Sequence, residues 1–191
     1  MLKKHLDLLS IIEENKALLT GHFILPNGKH SQSYIDTDIL LQYPSLAAKL
    51  GAAVANLFTK KADIVFASSQ ESLLLAAQVA VAIGARVMGA KFKDGKLEIK
   101  ETLKITEGEK VLIVDNVFMT GRKINQTLQL LQHYHASIIG IAGLVDRSNG
   151  LDLAFENIPL RALLTYPLDL YEPDSCPMCK QNIPFTNRRK K

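Results

Sequence analysis

The chain of 191 residues has no apolar run long enough to cross a bilayer; its most apolar stretch, Ser72 to Ile83, is far too short. Its first residues, Met1-Leu2-Lys3-Lys4-His5, lead into a patterned segment without the long apolar core and small-residue cleavage site of a signal peptide. A cytoplasmic protein is the expectation, with no membrane partner. Cysteine is nearly absent: Cys176 and Cys179 are the whole supply. A zinc site needs four ligands, commonly two such pairs or a pair plus spaced histidines. No second pair exists, and His5, His22, His30, His133 and His135 show no paired ligand spacing. The spacing therefore predicts no metal site but a knuckle-like turn with free thiols, a metal shared across a dimer being the open alternative. Internal repeats and low-complexity segments are absent as well.

Excess charge is also missing from the body of the chain. Arg188, Arg189, Lys190 and Lys191 supply four of the 23 basic residues, which leaves 19 against 19 acidic ones. The net charge of +4 thus belongs to a basic tail at 188–191, read as solvated and disordered rather than as a nucleic-acid contact.

What is present is a 47% hydrophobic composition and a length that suits one domain. Apolar positions at helical spacing predict helices over His5 to Leu19, from Ser45 (a cap) through Leu57, over Glu71 to Ile83 and over Lys123 to His135. Short apolar runs predict strands at Asp63 to Ala67, Arg86 to Phe92, Lys110 to Asp115, Ser137 to Val145 and Leu160 to Thr165. Pro26-Asn27-Gly28 and Asp94-Gly95 are turn signals, the second a hairpin turn into Lys96 to Glu101. Strands alternating with helices predict a doubly wound, mostly parallel α/β sheet with helices on both faces and ligands at the carboxyl ends of the strands. Three loops leave those ends: Ser68 to Ser72, Asn116 to Lys123, and Asp146 to Gly150.

The most informative stretch is Val111-Leu112-Ile113-Val114-Asp115-Asn116-Val117-Phe118-Met119-Thr120-Gly121-Arg122-Lys123. It reads as a buried strand ending in a carboxylate, a Thr-Gly turn, and the start of a helix. A helix start offers unpaired N–H groups and the positive end of the peptide dipole to a phosphate. A carboxylate beside it can hold sugar hydroxyls. This arrangement resembles the ribose-phosphate loop of the type I phosphoribosyltransferases.

Within that family the chain is most similar to the orotate phosphoribosyltransferases. Gly21-His22-Phe23-Ile24-Leu25-Pro26-Asn27-Gly28-Lys29-His30-Ser31-Gln32-Ser33-Tyr34-Ile35-Asp36 resembles their hood, Asp146-Arg147 their Asp-Arg pair, and Tyr171 through Cys179 the tail of one bacterial subgroup. The resemblance implies a single domain over 1–187, with a core at 45–165 and a hood mainly from 20–40 and 165–185. It implies conversion of orotate and phosphoribosyl pyrophosphate (PRPP) to orotidine monophosphate and pyrophosphate, with magnesium (Mg2+) and a homodimer. It casts Asp115 and Lys93 as catalytic. Asp115, Asn116, Thr120, Gly121, Arg122 and Lys123 fall in the phosphate and ribose subsite, and Arg147 and Tyr34 against the base.

The chain departs from the family pattern at several of these positions. The diphosphate loop is Ser68-Ser69-Gln70-Glu71-Ser72 and lacks the usual glycine pair. A carboxylate such as Glu71 about 4 Å from a phosphate charge is repelled by ~4 kcal/mol at an effective dielectric near 20. Alternatively Glu71 lies in the first turn of the following helix and simply favours its dipole. Asp38 stands where a basic residue is common, and as a loop acid it is equally well read as solvated or salt-bridged. Asn116 replaces a second acid. Arg122 replaces a glycine, at a cost of roughly 1–2 kcal/mol if that position is left-handed. Two functions stay open: the transferase, its activity reduced by these changes, or a non-catalytic nucleotide-monophosphate-binding homologue on the same fold.

Overall fold

A computed structural model describes residues 6–25, 27–93, 96–148, 155, 158–167 and 169–186, with the side chains of 92, 93 and 96 outside that description. The expected basic tail at 188–191 and the end of the Asp146 to Gly150 loop lie outside the described residues.

Helix α1 (Leu8–Glu14) is capped by Asp7, whose side chain accepts from the Ser10 N–H. It ends well before Leu19, where the helical pattern in the sequence runs out. Lys16 takes a left-handed φ of 54°, and the chain turns into strand β1 (Leu18–Ile24). β1 pairs antiparallel with β2 (His30–Ile35) across the Asn27-Gly28 turn, Gly28 sitting at φ 82°. Thr20-Gly21, read as punctuation in the sequence, lies inside β1 at a register shift between Thr20 and Phe23. There the alternation breaks, and His22 and Phe23 are both buried. A short helix α2 (Asp38–Leu41) leads to α3 (Pro44–Ala55), which starts with Pro44 in its first turn after Tyr43 at the cap, so that Ser45 is not its cap.

The rest of the chain builds the main sheet from β3 (Ile64–Ala67), α4 (Leu73–Ile83), β4 (Arg86–Gly89), a small antiparallel hairpin of β5 (Lys91–Lys93) and β6 (Lys96–Glu98), β7 (Lys110–Phe118), α5 (Arg122–His133), β8 (Ser137–Asp146) and β9 (Leu160–Thr165). The expected strand Arg86 to Phe92 is thus two strands, broken at Ala90. The five-stranded sheet has the order β4-β3-β7-β8-β9, and every pairing in it is parallel. The pleat sorts its side chains onto two cores. Val65, Ala67, Leu112 and Val114 pack with α3 and α4 residues such as Leu50 and Val79. Ile64, Phe66, Val111 and Ile113 pack with Ile124, Leu128 and Leu131 of α5. No helix among the described residues is long and apolar enough to cross a membrane.

This order decides where a ligand can bind. After β3 the chain turns into α4 on one face, and after the neighbouring β7 it turns into α5 on the other. The strand order reverses between them, so the two loops part and leave a crevice at the carboxyl ends of the strands. Close packing holds the strands beneath it. A Cβ on Gly143 of β8 would lie 2.6 Å from the Asp115 carbonyl oxygen and 2.7 Å from the Phe118 ring.

Candidate active site

β7 continues through Asp115 and Asn116 to Phe118, three residues beyond the expected strand end. Both polar residues therefore project from a rigid strand, and both are buried. The Asp115 carboxylate accepts the Asn116 N–H at 2.8 Å. Burial pushes this carboxyl above the ordinary range, against the opposing pull of Lys123, the Asn116 N–H and the Ser68 hydroxyl.

Asn116 has a task that a second acid could not perform. Its Nδ2 donates to the Thr37 hydroxyl and to the Glu71 backbone carbonyl, each at 3.1 Å. One amide thus ties β7 to the start of α2 and to the loop after β3. Its Oδ1 is buried without a partner among the described residues. Thr37 was not singled out by the sequence, and nothing local marks it.

The Ser68–Ser72 loop is closed on itself. The Ser69 N–H donates to the Ser72 hydroxyl at 3.0 Å, which donates back to the Ser69 carbonyl at 2.9 Å. The Ser72 N–H reaches the Ser69 hydroxyl at 3.3 Å. Two backbone donors that a phosphate loop would present outward are turned inward. Glu71 precedes α4, whose cap is Ser72, so it is not in the first helical turn. Its carboxyl is held below the ordinary range first by its own backbone N–H, and further by the Ser69 hydroxyl and Lys123. The Lys123 ammonium lies 3.5 Å from it, with side chains 55% and 66% exposed. This pair bridges the loops of the two adjacent strands.

Asp38 is exposed, in keeping with a solvated acid, and it makes no salt bridge among the described residues. It opens α2, and its carboxyl is raised by partial burial and by the nearby charges of Asp36 and Glu71. Three acids from two segments therefore share one side of the crevice.

At the other phosphate-type loop, Gly121 adopts φ 69° and caps α5. The left-handed position falls on the glycine, and Arg122 enters the helix with ordinary geometry, so the anticipated strain at Arg122 does not arise. Gly121 has no side chain with which to cap this 12-residue helix, whose first N–H groups lack intrahelical partners. The Thr120 hydroxyl lies 3.5 Å from the Arg122 N–H.

Arg147 follows β8 and is 2% exposed. Its backbone N–H donates to the Phe118 carbonyl at 2.8 Å, which fixes it beside the end of β7. Its Nη2 donates to the Ser33 hydroxyl of the β1–β2 hairpin at 3.1 Å, and its guanidinium lies 5.6 Å from the Tyr166 ring centroid. Nε is buried without a partner, and no acid among the described residues pairs with this cation. Burial lowers its pKa to about 10, offset in part by Tyr166 and Tyr34. Tyr34 stands across the hairpin from Leu19 with its ring 5.8 Å from Phe23. The hairpin and the Tyr166 segment thus roof a buried cation. The Lys93 side chain lies outside the described residues.

A second group of polar side chains meets within the hood. His22, His30, Cys176 and Cys179 place one nitrogen or sulfur each within 4.8 Å of one another. In sequence the cysteine pair has no partner at ligand spacing; in the fold the hairpin brings the two histidines to it from far away in the chain.

Residues 36–154 match the family model described as a phosphoribosyl transferase domain. An orotate phosphoribosyltransferase of Caldicellulosiruptor bescii is 35% identical over 179 residues, covering 93% of each chain. One from Thermotoga maritima is 34% identical, covering 91% of this chain and 92% of its own. Among solved structures, the orotate phosphoribosyltransferase of Aeropyrum pernix superposes with a TM-score of 0.68 at 25% identity, over 83% of this chain and 93% of that one. An adenine phosphoribosyltransferase from Thermoanaerobacter pseudethanolicus gives 0.68 at 20% identity over 83% and 99%, a likeness of fold alone. With its parallel sheet, its two loops at the strand-order reversal and these relatives along nearly its whole length, the chain belongs to the orotate phosphoribosyltransferases of the type I phosphoribosyltransferase fold.

Proposed function

We propose that the chain transfers a phosphoribosyl group from PRPP to orotate in pyrimidine nucleotide synthesis, with its base and 5′-phosphate subsites intact and its pyrophosphate subsite weakened. The observation that carries this reading is Arg147. A buried guanidinium without an acid costs several kcal/mol of desolvation. A planar carboxylate on the ligand offsets that cost with paired, charge-assisted hydrogen bonds. Ser33 orients the guanidinium, and Tyr34 and Tyr166 flank it. The base nitrogen attacks the anomeric carbon as the bond to pyrophosphate breaks. Asp115 holds the ribose hydroxyls, and the open N-terminus of α5, with Thr120, Gly121, Arg122 and Lys123, takes the 5′-phosphate.

Magnesium is implied by the family, and carboxylate donors at the crevice fit it: Asp115, Asp36 and Asp38 offer oxygens and no sulfur or imidazole. When bound, it neutralises diphosphate charge. Lys93 remains the candidate to reach the leaving group. Leu74 and Val81 of α4 and Val87 of the edge strand are exposed apolar side chains, Val81 to 78%, and a second copy of the chain is the proposed cover, giving a cytoplasmic homodimer.

A second reading rests on the self-closed Ser69–Ser72 turn and the Glu71–Lys123 pair. It keeps nucleotide-monophosphate binding and drops the chemistry. One experiment separates the two. Orotidine monophosphate formation is followed from orotate, PRPP and magnesium, alongside thermal shifts with orotidine monophosphate and with magnesium-PRPP. Turnover by the unmodified protein supports the transferase. Binding of the monophosphate without turnover, and no shift with PRPP, refutes it in favour of the second reading.

A further inference from the structure

We propose that His22, His30, Cys176 and Cys179 bind one zinc ion that fastens the β1–β2 hairpin to the C-terminal segment. The four donors are two imidazole nitrogens and two sulfurs, a set that selects zinc in tetrahedral geometry. Four of the six edges between these donors compare directly with that geometry. With zinc about 2.05 Å from nitrogen and about 2.3 Å from sulfur, tetrahedral angles set nitrogen–sulfur edges of about 3.5 Å and a nitrogen–nitrogen edge of about 3.3 Å. The observed edges are 3.6 Å from His22 Nε2 to each sulfur and 3.3 Å from His30 Nδ1 to Cys179. The two nitrogens lie 3.0 Å apart. All four donor atoms stay within 4.8 Å of one another.

The surroundings are those of a built site. His22 Nδ1 lies 2.8 Å from the Ile183 carbonyl, which must receive a proton from it. That bond fixes the tautomer and leaves the Nε2 lone pair aimed at the centre, as the outer partner of a metal-bound histidine does. The β1 bulge puts His22 and Phe23 both inward, and this aims His22 at His30 on the partner strand. Cys176 caps the single-turn helix α6 (Pro177–Lys180), so the two thiols, three residues apart, face the same side. Phe185 covers the group, its ring centroid 4.3 Å from that of His22 and 5.2 Å from that of His30. His22, His30 and Cys176 are buried, and there is no carboxylate in the group. Zinc displaces one proton from each thiol to solvent, and two thiolates balance the ion's charge, leaving a neutral centre suited to burial.

The site clamps parts of the chain that sequence keeps far apart, His22 and Cys176 being 154 residues apart. Backbone bonds run beside it, from the His30 N–H to the Tyr171 carbonyl at 2.8 Å and from the Thr186 N–H to the His22 carbonyl at 2.7 Å. His30 stands three residues before Ser33, the residue that holds Arg147. The clamp therefore sets the pose of the hairpin that roofs the cation, whatever the reaction proves to be.

The test uses the full chain, untagged and purified without chelating resin. Metal analysis is expected to give one zinc per chain. Replacement by cobalt is expected to give the intense visible bands of a tetrahedral ion together with thiolate-to-cobalt charge transfer. Cys176→Ser and Cys179→Ser each abolish stoichiometric zinc and lower the thermal midpoint, while His133→Ala, outside the group, keeps both. Should a cysteine variant fail to fold, the cobalt spectrum of the unmodified chain still decides. Substoichiometric zinc after anaerobic reconstitution, a Cys176–Cys179 disulfide in the fresh protein, an octahedral cobalt spectrum, or full zinc in the double cysteine variant would each overturn the assignment.

Discussion

Replacing Asn116 by aspartate restores the acid usual in the family, and it is expected to damage this protein. The side chains are the same size, so the change is one of hydrogen bonding and charge. Asn116 donates to the Thr37 hydroxyl and to the Glu71 carbonyl. In Asn116→Asp, Thr37 can rotate its hydroxyl and donate to the new carboxylate. The Glu71 carbonyl cannot: it loses its donor and faces an anion at the same distance. An unsatisfied buried polar group costs ~1–3 kcal/mol, and a buried charge adds to it, so a loss of about 2–4 kcal/mol is expected at pH 7. For a domain of this size that is a fall of roughly 4–16 °C in thermal midpoint. The pH dependence carries the sign. The new carboxyl is pushed above its unfolded value, so its penalty is full above the folded pKa and vanishes as pH falls below the unfolded one. Urea unfolding of both proteins at pH 7 and in mild acid measures the gap, which must narrow in acid. A gap under ~0.5 kcal/mol at pH 7, or one independent of pH, would refute the role assigned to the Asn116 amide. Because the acceptor is Glu71 backbone, Glu71→Gly should not rescue the loss.

Other tests bear on the site and its frame. Glu71→Gln should leave stability within ~0.5 kcal/mol, since its pair with Lys123 is well exposed, while tightening magnesium-PRPP binding in calorimetry; unchanged binding would contradict the repulsion argument. Arg147→Met should weaken orotate by about thirtyfold or more in a KM or displacement assay, with a thermal midpoint equal to or above that of the parent. Asp115→Asn should stabilise the protein at neutral pH. Burial raises the folded pKa of Asp115, so its ionised form costs stability as pH rises through that value, and the advantage of the amide must fade in acid. Gly143→Ala should cost about 1–3 kcal/mol in urea unfolding, because the new methyl meets the rigid Asp115 carbonyl rather than a movable side-chain tip.

The main sheet was legible because its causes are local. Val111 to Val114 is an apolar run that can be satisfied only by burial on both faces, and Leu160 to Thr165 was bounded correctly from composition alone. Gly121 marked the turn before α5, and it is the residue with positive φ there. The failures have causes too. Leu18 and Leu19 continue the helical period of α1, but Lys16 reverses the backbone and β2 claims them as strand partners. Glu71 reads as a first-turn acid, yet the Ser69–Ser72 bonds delay the helix to Leu73.

The parallel α/β frame, the two loops at its strand-order reversal and the family to which they belong are all written in local residue patterns. Periodicity and turn residues act over a few positions, and the pattern carries them whole. It takes the folded chain to show that Asn116 is a brace for the Glu71 loop, that Arg147 is sealed beneath Ser33, and that His22 and His30 meet Cys176 and Cys179. Those relations join groups separated by 45, 114 and 154 residues, and they exist only after the hairpin closes over the sheet. No local spacing encodes them, because the distance that matters is through space.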